Sequence, residues 1–167
     1  HVSEQVAENE ACDAEYGLTP AEVFARTGCM QRPRAFTAVH AIHVRGRDVE
    51  LLSGQNVCAC PSTEADLGDG VIKGSVYARA GTNLALGSDS NSIIDLVQEA
   101  RLLEMHERLS SQSRLCLADD KGQVGRVLLD AATIGGATSL GWPELGSLCV
   151  GAPFDAVAID RHTPALR

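Results

Sequence analysis

RAFTAVHAI (34–42) is a short, apolar and partly β-branched segment, which is typical of a buried β-strand. Two similar segments follow it along the chain, NVCACP (56–61) and NLALGSDS (83–90). Segments with helical spacing of apolar residues separate them, namely GRDVELLSGQ (46–55) and VIKGSVYARAG (71–81). Short strands that alternate with helices in this way form parallel βαβ units, so the sequence predicts an α/β fold with a parallel sheet.

Three further helices are predicted outside this central region. TPAEVFARTG (19–28) begins with Thr19 as N-cap and Pro20 at the first helical position. A long helix is predicted over about 93–110, and another over about 124–140. The apolar stripe predicted for the long helix consists of Ile93, Leu96, Val97, Ala100 and Leu103. The face predicted for the last helix contains Val127, Leu128 and Ala131.

The number of units and their spacing suggest part of a barrel. The units follow one another at close to the roughly 30 residues per unit of a (β/α)8 barrel, but only about four are present. Four units cannot close a barrel and would leave an apolar edge, so we expect the chain to form half of one. The final segment, ELGSLCVGAPFDAVAID (144–160), lacks a helical period. We predict that FDAVAID (154–160) is an antiparallel strand of a small β-module.

Composition excludes several classes of protein. The 167 residues carry a formal net charge of −8, which argues against a nucleic-acid or anionic-membrane surface built from clustered Lys and Arg. No uninterrupted apolar segment is long enough to span a bilayer. The six cysteines form no CxxC pair, and several lie in apolar contexts, so we interpret them as buried free thiols of a cytoplasmic protein rather than as disulfides.

Polar residues cluster where the predicted strands end, which is the edge where α/β folds build their sites. These residues are His1, Glu4, His40, His43, Glu64, Asp69 and Asp89. Two histidines and an aspartate are chemically suited to zinc. The alternative is structural: the histidines would be buried and hydrogen-bonded to the backbone, and Asp89 would cap the following helix. Glu64 and Asp69 are expected to shape the loop after the second strand or to line the rim of a site.

Four segments carry a resemblance to a known family: HVSEQ (1–5), AVHAIHV (38–44), CPSTEADLGDG (60–70) and LGSDSN (86–91). Together they resemble the second half of an amidohydrolase-superfamily barrel, and residues 130–160 resemble the segment that closes that barrel. Within the superfamily, SEQ (3–5) and TEADLGDG (63–70) resemble the formimidoylglutamate deiminases.

The resemblance implies a fold and two regions. It implies the C-terminal half of a (β/α)8 TIM-type barrel over residues 1–141, covering strands five to eight and the helices that follow them. It also implies part of a small β-sandwich domain over residues 142–167. The missing N-terminal half would hold an HxH pair that supplies two further metal ligands, and no HxH occurs here. We therefore expect this chain alone to bind metal poorly and to be inactive.

The resemblance also implies the roles of individual residues. His1 and Asp89 match metal ligands, and Asp89 also accepts a proton from water. Glu4 matches the glutamate that shuttles protons near the imino nitrogen of the substrate. His40 matches the histidine that hydrogen-bonds the attacking water or the tetrahedral intermediate, and His43 resembles a residue that supports it.

The implied reaction is the metal-dependent hydrolytic deamination of N-formimino-L-glutamate, a small-molecule substrate, to N-formyl-L-glutamate and ammonia in histidine degradation. Zinc is the implied metal, with iron or another divalent ion as an alternative, and the complete protein is expected to be a homodimer. Other interpretations remain open: a guanine, cytosine or related ring deaminase, an inactive fragment, a subunit whose barrel is completed by another chain, or a copper-binding module that uses the N-terminal amine and imidazole.

Overall fold

A three-stranded parallel sheet forms the centre of the protein. In this computed structural model, residues 1–160 and 162 are described. The strands are β1 (Thr37–Val39), β2 (Asn56–Ala59) and β3 (Asn83–Leu86), and they lie in the order in which they occur in the chain. Both pairings are parallel, which confirms the α/β class and the three central strands predicted from the sequence.

A further parallel contact extends the sheet beyond β1. Val2 forms an isolated parallel bridge with His40. Its N–H donates to the carbonyl oxygen of Val39 at 3.1 Å, and its own carbonyl accepts from Ala41 N–H at 2.9 Å. The chain around Val2 therefore lies beside β1, and the spatial order follows the sequence order from Val2 to β3.

Helices surround this sheet. All five segments predicted to be helical contain a helix, but the helices predicted to begin at 71 and at about 93 begin three residues later. They are α1 (Val6–Tyr16), α2 (Pro20–Arg26), α3 (Gly46–Leu52), α4 (Pro61–Leu67), α5 (Gly74–Arg79), α6 (Leu96–Ser111), α7 (Val124–Asp130) and α8 (Gly136–Ser139), with a π-helical stretch at Ala131–Gly135 between the last two. Thr19 caps α2 by accepting from Glu22 N–H, and Pro20 is its first residue, as predicted. Helices α1 and α4 were not predicted.

The core lies between the sheet and its helices and is mostly aliphatic. Its largest fully buried apolar side chains are Tyr77, Leu52, Ile72, Leu103 and Leu117. Burial of such side chains removes apolar surface from water and stabilises the fold by roughly 1.5–3 kcal/mol for each. Tyr77 also donates its hydroxyl to the carbonyl oxygen of Ala41 at 2.7 Å, so the polar end of this core residue is satisfied next to the end of β1.

The buried face of α6 differs from the predicted apolar stripe. Ala100 and Leu103 are buried as expected, but Leu96 and Val97 are exposed, and Ile93 lies before the helix and is also exposed. Three glutamates occupy the buried face instead: Glu99, Glu104 and Glu107.

These glutamates are buried because each accepts hydrogen bonds from a neighbouring segment of the chain. Glu99 accepts from the N–H and hydroxyl of Ser62 in the first turn of α4, and Glu107 does the same for Ser75 in α5. Glu104 accepts from the N–H of Leu117. A carboxylate at the N-terminus of a helix is stabilised by free N–H groups and the helix dipole. Hydropathy patterns cannot detect this arrangement.

The π-helical stretch lies directly on the sheet, and Gly135 allows the approach. Its carbonyl accepts from Asn83 Nδ2 at 2.9 Å. A Cβ atom at this position would lie 2.0 Å from the carbonyl oxygen of Leu84.

Replacing Gly135 with alanine is therefore expected to push the π-helical stretch off β3 and to lower the free energy of unfolding by about 2–3 kcal/mol, the upper range for overpacking. Thermal or urea unfolding of the variant measures this. Gly125→Ala is the matched control, because a Cβ atom added at Gly125 on α7 would have no atom of another described segment within 4 Å. That change should stabilise the helix by roughly 0.5–1 kcal/mol. Equal stabilities of the two variants would contradict the close approach.

Two predictions need correction. The strand predicted at 154–160 is absent, since these residues form neither strand nor helix. A strand needs a neighbouring strand to pair with, and none of the described strands pairs with this segment. The cysteines are free, as predicted, but only Cys60 is buried, while Cys29 and Cys149 are exposed.

Across the described ranges, no helix combines the length and apolar composition needed to cross a membrane.

Candidate active site

Four of the predicted site residues meet at the carboxyl end of the sheet. His1 lies just before the bridge residue Val2, His40 follows β1, and Asp89 follows β3 by three residues. Glu4 lies in the turn before α1. Because parallel strands present their carboxyl ends at one edge, residues that are far apart in the sequence converge there.

The distances within this cluster are short. His1 Nε2 lies 3.8 Å from Asp89 Oδ1, and His1 Nδ1 lies 3.5 Å from Glu4 Oε2. His40 Nε2 lies 3.8 Å from Glu4 Oε1 and 3.9 Å from Asp89 Oδ2. The two imidazole rings meet edge to face, with centroids 4.6 Å apart. The two nitrogens of His1 thus face different carboxylates, and His40 points at both of them.

The cluster opens to solvent on one side. The His40 side chain is fully buried, those of Glu4 and Asp89 are 18% and 19% exposed, and that of His1 is 52% exposed. His40 Nε2 has no hydrogen-bond partner among the described residues, although it is buried. A buried imidazole nitrogen without a partner is costly unless another group completes it. The arrangement therefore leaves a position for a ligand between His40 and the two carboxylates.

The backbone here adopts conformations that non-glycine residues rarely use. The φ angles are +51° at Ser3, +70° at His40, +50° at Ala41 and +50° at Asp89. Local strain of this kind clusters at functional sites, where the surrounding fold maintains it. The Tyr77 hydroxyl bond to the Ala41 carbonyl holds the turn after His40.

Burial and neighbouring charges together shift the pKa values of Glu4 and His40. Burial raises the pKa of the Glu4 carboxyl; the imidazole of His40 opposes this shift, and the nearby carboxylates of Asp69 and Asp89 add to it. Burial alone would lower the pKa of His40, but the hydrogen bond to Glu64 and the charges of Glu4 and Asp89 outweigh it, so the pKa of His40 is raised. Glu4 thus retains a proton to higher pH than an ordinary glutamate.

The donors in this cluster can hold a divalent metal ion. His1, Glu4 and His40 each offer one ligand atom, and these atoms lie within 4.8 Å of one another. Protein ligands lie about 2.0–2.2 Å from zinc, so two of them are at most about 4.4 Å apart. The separation of 3.8 Å between His1 Nε2 and Asp89 Oδ1 is within this limit, whereas the 4.8 Å within which the His1, Glu4 and His40 atoms lie is wider than it.

His43 lies apart from this cluster. Its Nε2 forms a 2.7 Å hydrogen bond with the carbonyl oxygen of Asp69, and its own carbonyl accepts from Asn9 Nδ2. With Gln5, Leu67 and Asp69 it lines a cavity of about 300 Å³ beside the site. Gln5 Nε2 donates to Asp69 Oδ1 at 3.2 Å. His43 therefore connects the turn after β1 to the end of α4 rather than facing His1 or Asp89.

Sequence reasoning missed the contact between Glu64 and His40. Glu64 lies in the first turn of α4, is 1% exposed, and its Oε1 is 3.2 Å from His40 Nδ1. A signal for this helix was present, because Pro61 suits the first helical position and Gly68 suits the left-handed position after the last turn. Glu64 was expected at the same sheet edge as His40, but in a loop; reading α4 as a helix would have placed it in a first turn.

The sequence profile of the amidohydrolase family matches residues 1–166. A formimidoylglutamate deiminase from Pseudomonas aeruginosa is 37% identical over 99% of this chain, which covers 37% of that protein. A 5-methylthioadenosine/S-adenosylhomocysteine deaminase from Pelotomaculum thermopropionicum is 30% identical over 99% of this chain and is covered to 38%. The chain thus spans just over a third of the length of these relatives.

A solved structure gives the same picture of the fold. An adenosine deaminase from Xanthomonas campestris, solved with bound zinc, superimposes on the whole of this chain with a TM-score of 0.87 at 28% identity, and the chain covers 38% of it. An amidohydrolase from Brucella melitensis superimposes on 86% of this chain with a TM-score of 0.80 at 37% identity, and 32% of it is covered.

Proposed function

The chain belongs to the amidohydrolase family, and on that premise we propose that it carries part of the active site of a deaminase that hydrolyses N-formimino-L-glutamate to N-formyl-L-glutamate and ammonia. The observation that carries the reaction class is the convergence of His1, Glu4, His40 and Asp89 at one sheet edge. The imidazole nitrogen of His40 that lies between the carboxylates has no hydrogen-bond partner among the residues that the structure describes. The substrate is suggested by the Pseudomonas aeruginosa relative at 37% identity.

The proposed architecture is half of a (β/α)8 barrel. The strands lie in sequence order and are all parallel, from the Val2 bridge through β1 and β2 to β3. Successive barrel strands pair in this way, whereas doubly wound sheets reverse their strand order at a switch point. The remaining strands would come from the part of the relatives' length that this chain does not span.

We propose that His1 and Asp89 hold a divalent metal, with zinc as the first candidate. Imidazole and carboxylate donors suit zinc, and the Xanthomonas campestris deaminase was solved with that ion. Zinc prefers four ligands, so the other donors would lie outside this chain. When bound, such an ion acts as a Lewis acid and makes water nucleophilic at neutral pH.

The chain's own residues would then transfer protons and orient the attacking water. Asp89 takes the proton released as water attacks the formimino carbon. Glu4, whose pKa is raised, holds a proton more readily than an ordinary glutamate and gives it to the imino nitrogen as water attacks. Glu4 then takes the hydroxyl proton of the tetrahedral intermediate while Asp89 passes its proton to the same nitrogen, so the carbonyl forms, the C–N bond breaks and ammonia leaves with both carboxyl groups back in their starting states. His40 directs Nε2 at the attacked centre, where its lone pair can accept a hydrogen bond from the attacking water.

A second candidate is deamination of an adenine ring. The Pelotomaculum thermopropionicum deaminase, at 30% identity over 99% of this chain, supports it. Both reactions replace an amino or imino nitrogen by oxygen at an amidine-like carbon, so the same four side chains would serve either one.

A substrate panel separates the two candidates. The whole protein is incubated with formiminoglutamate, methylthioadenosine, S-adenosylhomocysteine, adenosine and guanine, and ammonia release is measured. We expect kcat/KM for formiminoglutamate to exceed that for every purine compound by at least about 100-fold, because the polar groups that would pair with the carboxylates of formiminoglutamate would be left unpaired by a purine. Preference for a purine compound would replace the first proposal with the second.

A further inference from the structure

The buried carboxylate of Glu64 contacts His40 from the side opposite to the site. Its Oε1 lies 3.2 Å from His40 Nδ1 and also accepts the N–H of Cys60 at 2.8 Å. Glu64 and His40 are 1% and 0% exposed. A carboxylate only accepts hydrogen bonds, so the proton of the neutral imidazole resides on Nδ1 and the lone pair on Nε2.

Other contacts fix the turn that carries Glu64. Ser62, two residues earlier, donates both its N–H and its hydroxyl to Glu99 on α6. The Thr63 hydroxyl donates to the carbonyl oxygen of Ser88, the neighbour of Asp89, at 2.7 Å. The first turn of α4 is thereby attached both to α6 and to the loop that supplies Asp89.

The other end of the His40 ring faces the reacting groups. Nε2 is buried, lacks a hydrogen-bond partner within the described part of the chain, and lies within 3.9 Å of carboxylate oxygens of both Glu4 and Asp89. The backbone gives little freedom to move it, since His40 is held at a φ of +70° by the bonds on either side. Glu64 is the hydrogen-bond partner that the structure gives to Nδ1.

We propose that Glu64 is a positioning residue for the reaction proposed above: it holds His40 in the tautomer and ring orientation that direct Nε2 at the reacting centre. The inference rests on that proposed function for its kinetic consequence. Its structural content is independent, because the tautomer of His40 is observable without turnover. A purely structural role for Glu64, as an acceptor for Cys60 N–H at the start of α4, would affect folding without affecting the ring.

The test compares Glu64→Leu with Glu107→Leu in the whole protein. Glu64 Oε1 accepts from both His40 Nδ1 and Cys60 N–H, so a glutamine oxygen in the same place could keep both bonds, whereas leucine has a similar size and no acceptor. Glu107 is a matched control, since it is also buried, also accepts from a backbone N–H and a serine hydroxyl, and does not contact the site.

We expect Glu64→Leu to lower kcat by about 10- to 100-fold, as loss of a residue that orients a functional histidine does, with KM changed by less than about threefold. The ¹⁵N spectrum of histidine-labelled protein should show that His40 is no longer held in the Nδ1–H tautomer. Glu107→Leu should lose thermal stability to a similar extent, keep kcat within about twofold, and leave the His40 signals unchanged.

Unchanged His40 signals in Glu64→Leu would overturn the inference, and so would a kcat equal to that of the Glu107 control. If the unmodified protein releases ammonia from no compound in the panel, the proposed function fails, and the ¹⁵N spectrum alone still decides whether Glu64 sets the tautomer.

Discussion

Asp89→Asn is expected to lower kcat/KM of the whole protein by at least about 1,000-fold and to remove most of its bound metal. Asp89 would lose two roles at once, because an amide is a poorer ligand than a carboxylate and cannot accept the proton of the attacking water. Proton transfer by a positioned side chain alone contributes about 10²- to 10⁴-fold. Ammonia release gives the rate, and elemental analysis of the purified protein gives the metal content.

Asp66→Asn provides the control for this change. Asp66 is an exposed residue of α4 whose Oδ2 accepts from Asn91 Nδ2 at 2.7 Å. Its side chain therefore contacts the loop that also carries Asp89, but it does not face His1. The control should keep both its rate and its metal. An Asp89→Asn protein with full metal content would show that Asp89 is not a ligand, and one with full rate would exclude it from the reaction.

Glu4→Gln is expected to lower kcat by about 10²- to 10⁴-fold while the metal content stays at the level of the unmodified protein. Glutamine has the same shape as glutamate but cannot deliver a proton to the departing nitrogen. Metal analysis and ammonia release are measured as for Asp89, with Glu10→Gln on the exposed surface of α1 as the control.

The metal content of the Glu4 variant also distinguishes two ligand sets. The structure brings His1, Glu4 and His40 together as one group of possible ligands, and it brings His1 and Asp89 together as another. If Glu4→Gln loses its metal and Asp89→Asn keeps it, the first set holds the ion. The reverse result supports the second set, which is the one proposed above.

Much of the fold could be predicted because hydrophobic periodicity is a local signal. The parallel strands around Ala38, Val57 and Leu84 form where short apolar segments alternate with segments of helical spacing. The start of α2 was correct because Thr19 and Pro20 carry a capping signal that tertiary contacts do not override. The π-helical stretch could not be predicted, since it depends on Gly135 meeting Leu84 from another part of the chain.

The buried face of α6 shows what periodicity cannot detect. Glu99, Glu104 and Glu107 read as surface residues in the sequence, because a glutamate is rarely buried unless it is paired. Their partners, the first turns of α4 and α5 and the segment at Leu117, become visible only when the helices are in place. The apolar residues Leu96 and Val97 are consequently exposed on the other side of the helix.

The candidate site was predictable in its members but not in its connections. Because parallel strands deliver their ends to one edge, His40 and Asp89 could be placed together with His1 from the sequence. The roles of these residues came from a family resemblance and remain predictions. The Glu64 contact could not be reached in this way, since it required α4, and α4 was read as the end of a strand at Pro61.

The glutamates of α6 have a consequence for local opening of the protein. The amide protons of Ser62, Ser75 and Leu117 all have their acceptors on this one helix. When α6 detaches, the three amides become exchangeable in the same event, although they belong to different segments. Hydrogen exchange at these positions is therefore expected to report one opening free energy. The same detachment of α6 would also free the first turn of α4, which carries Glu64.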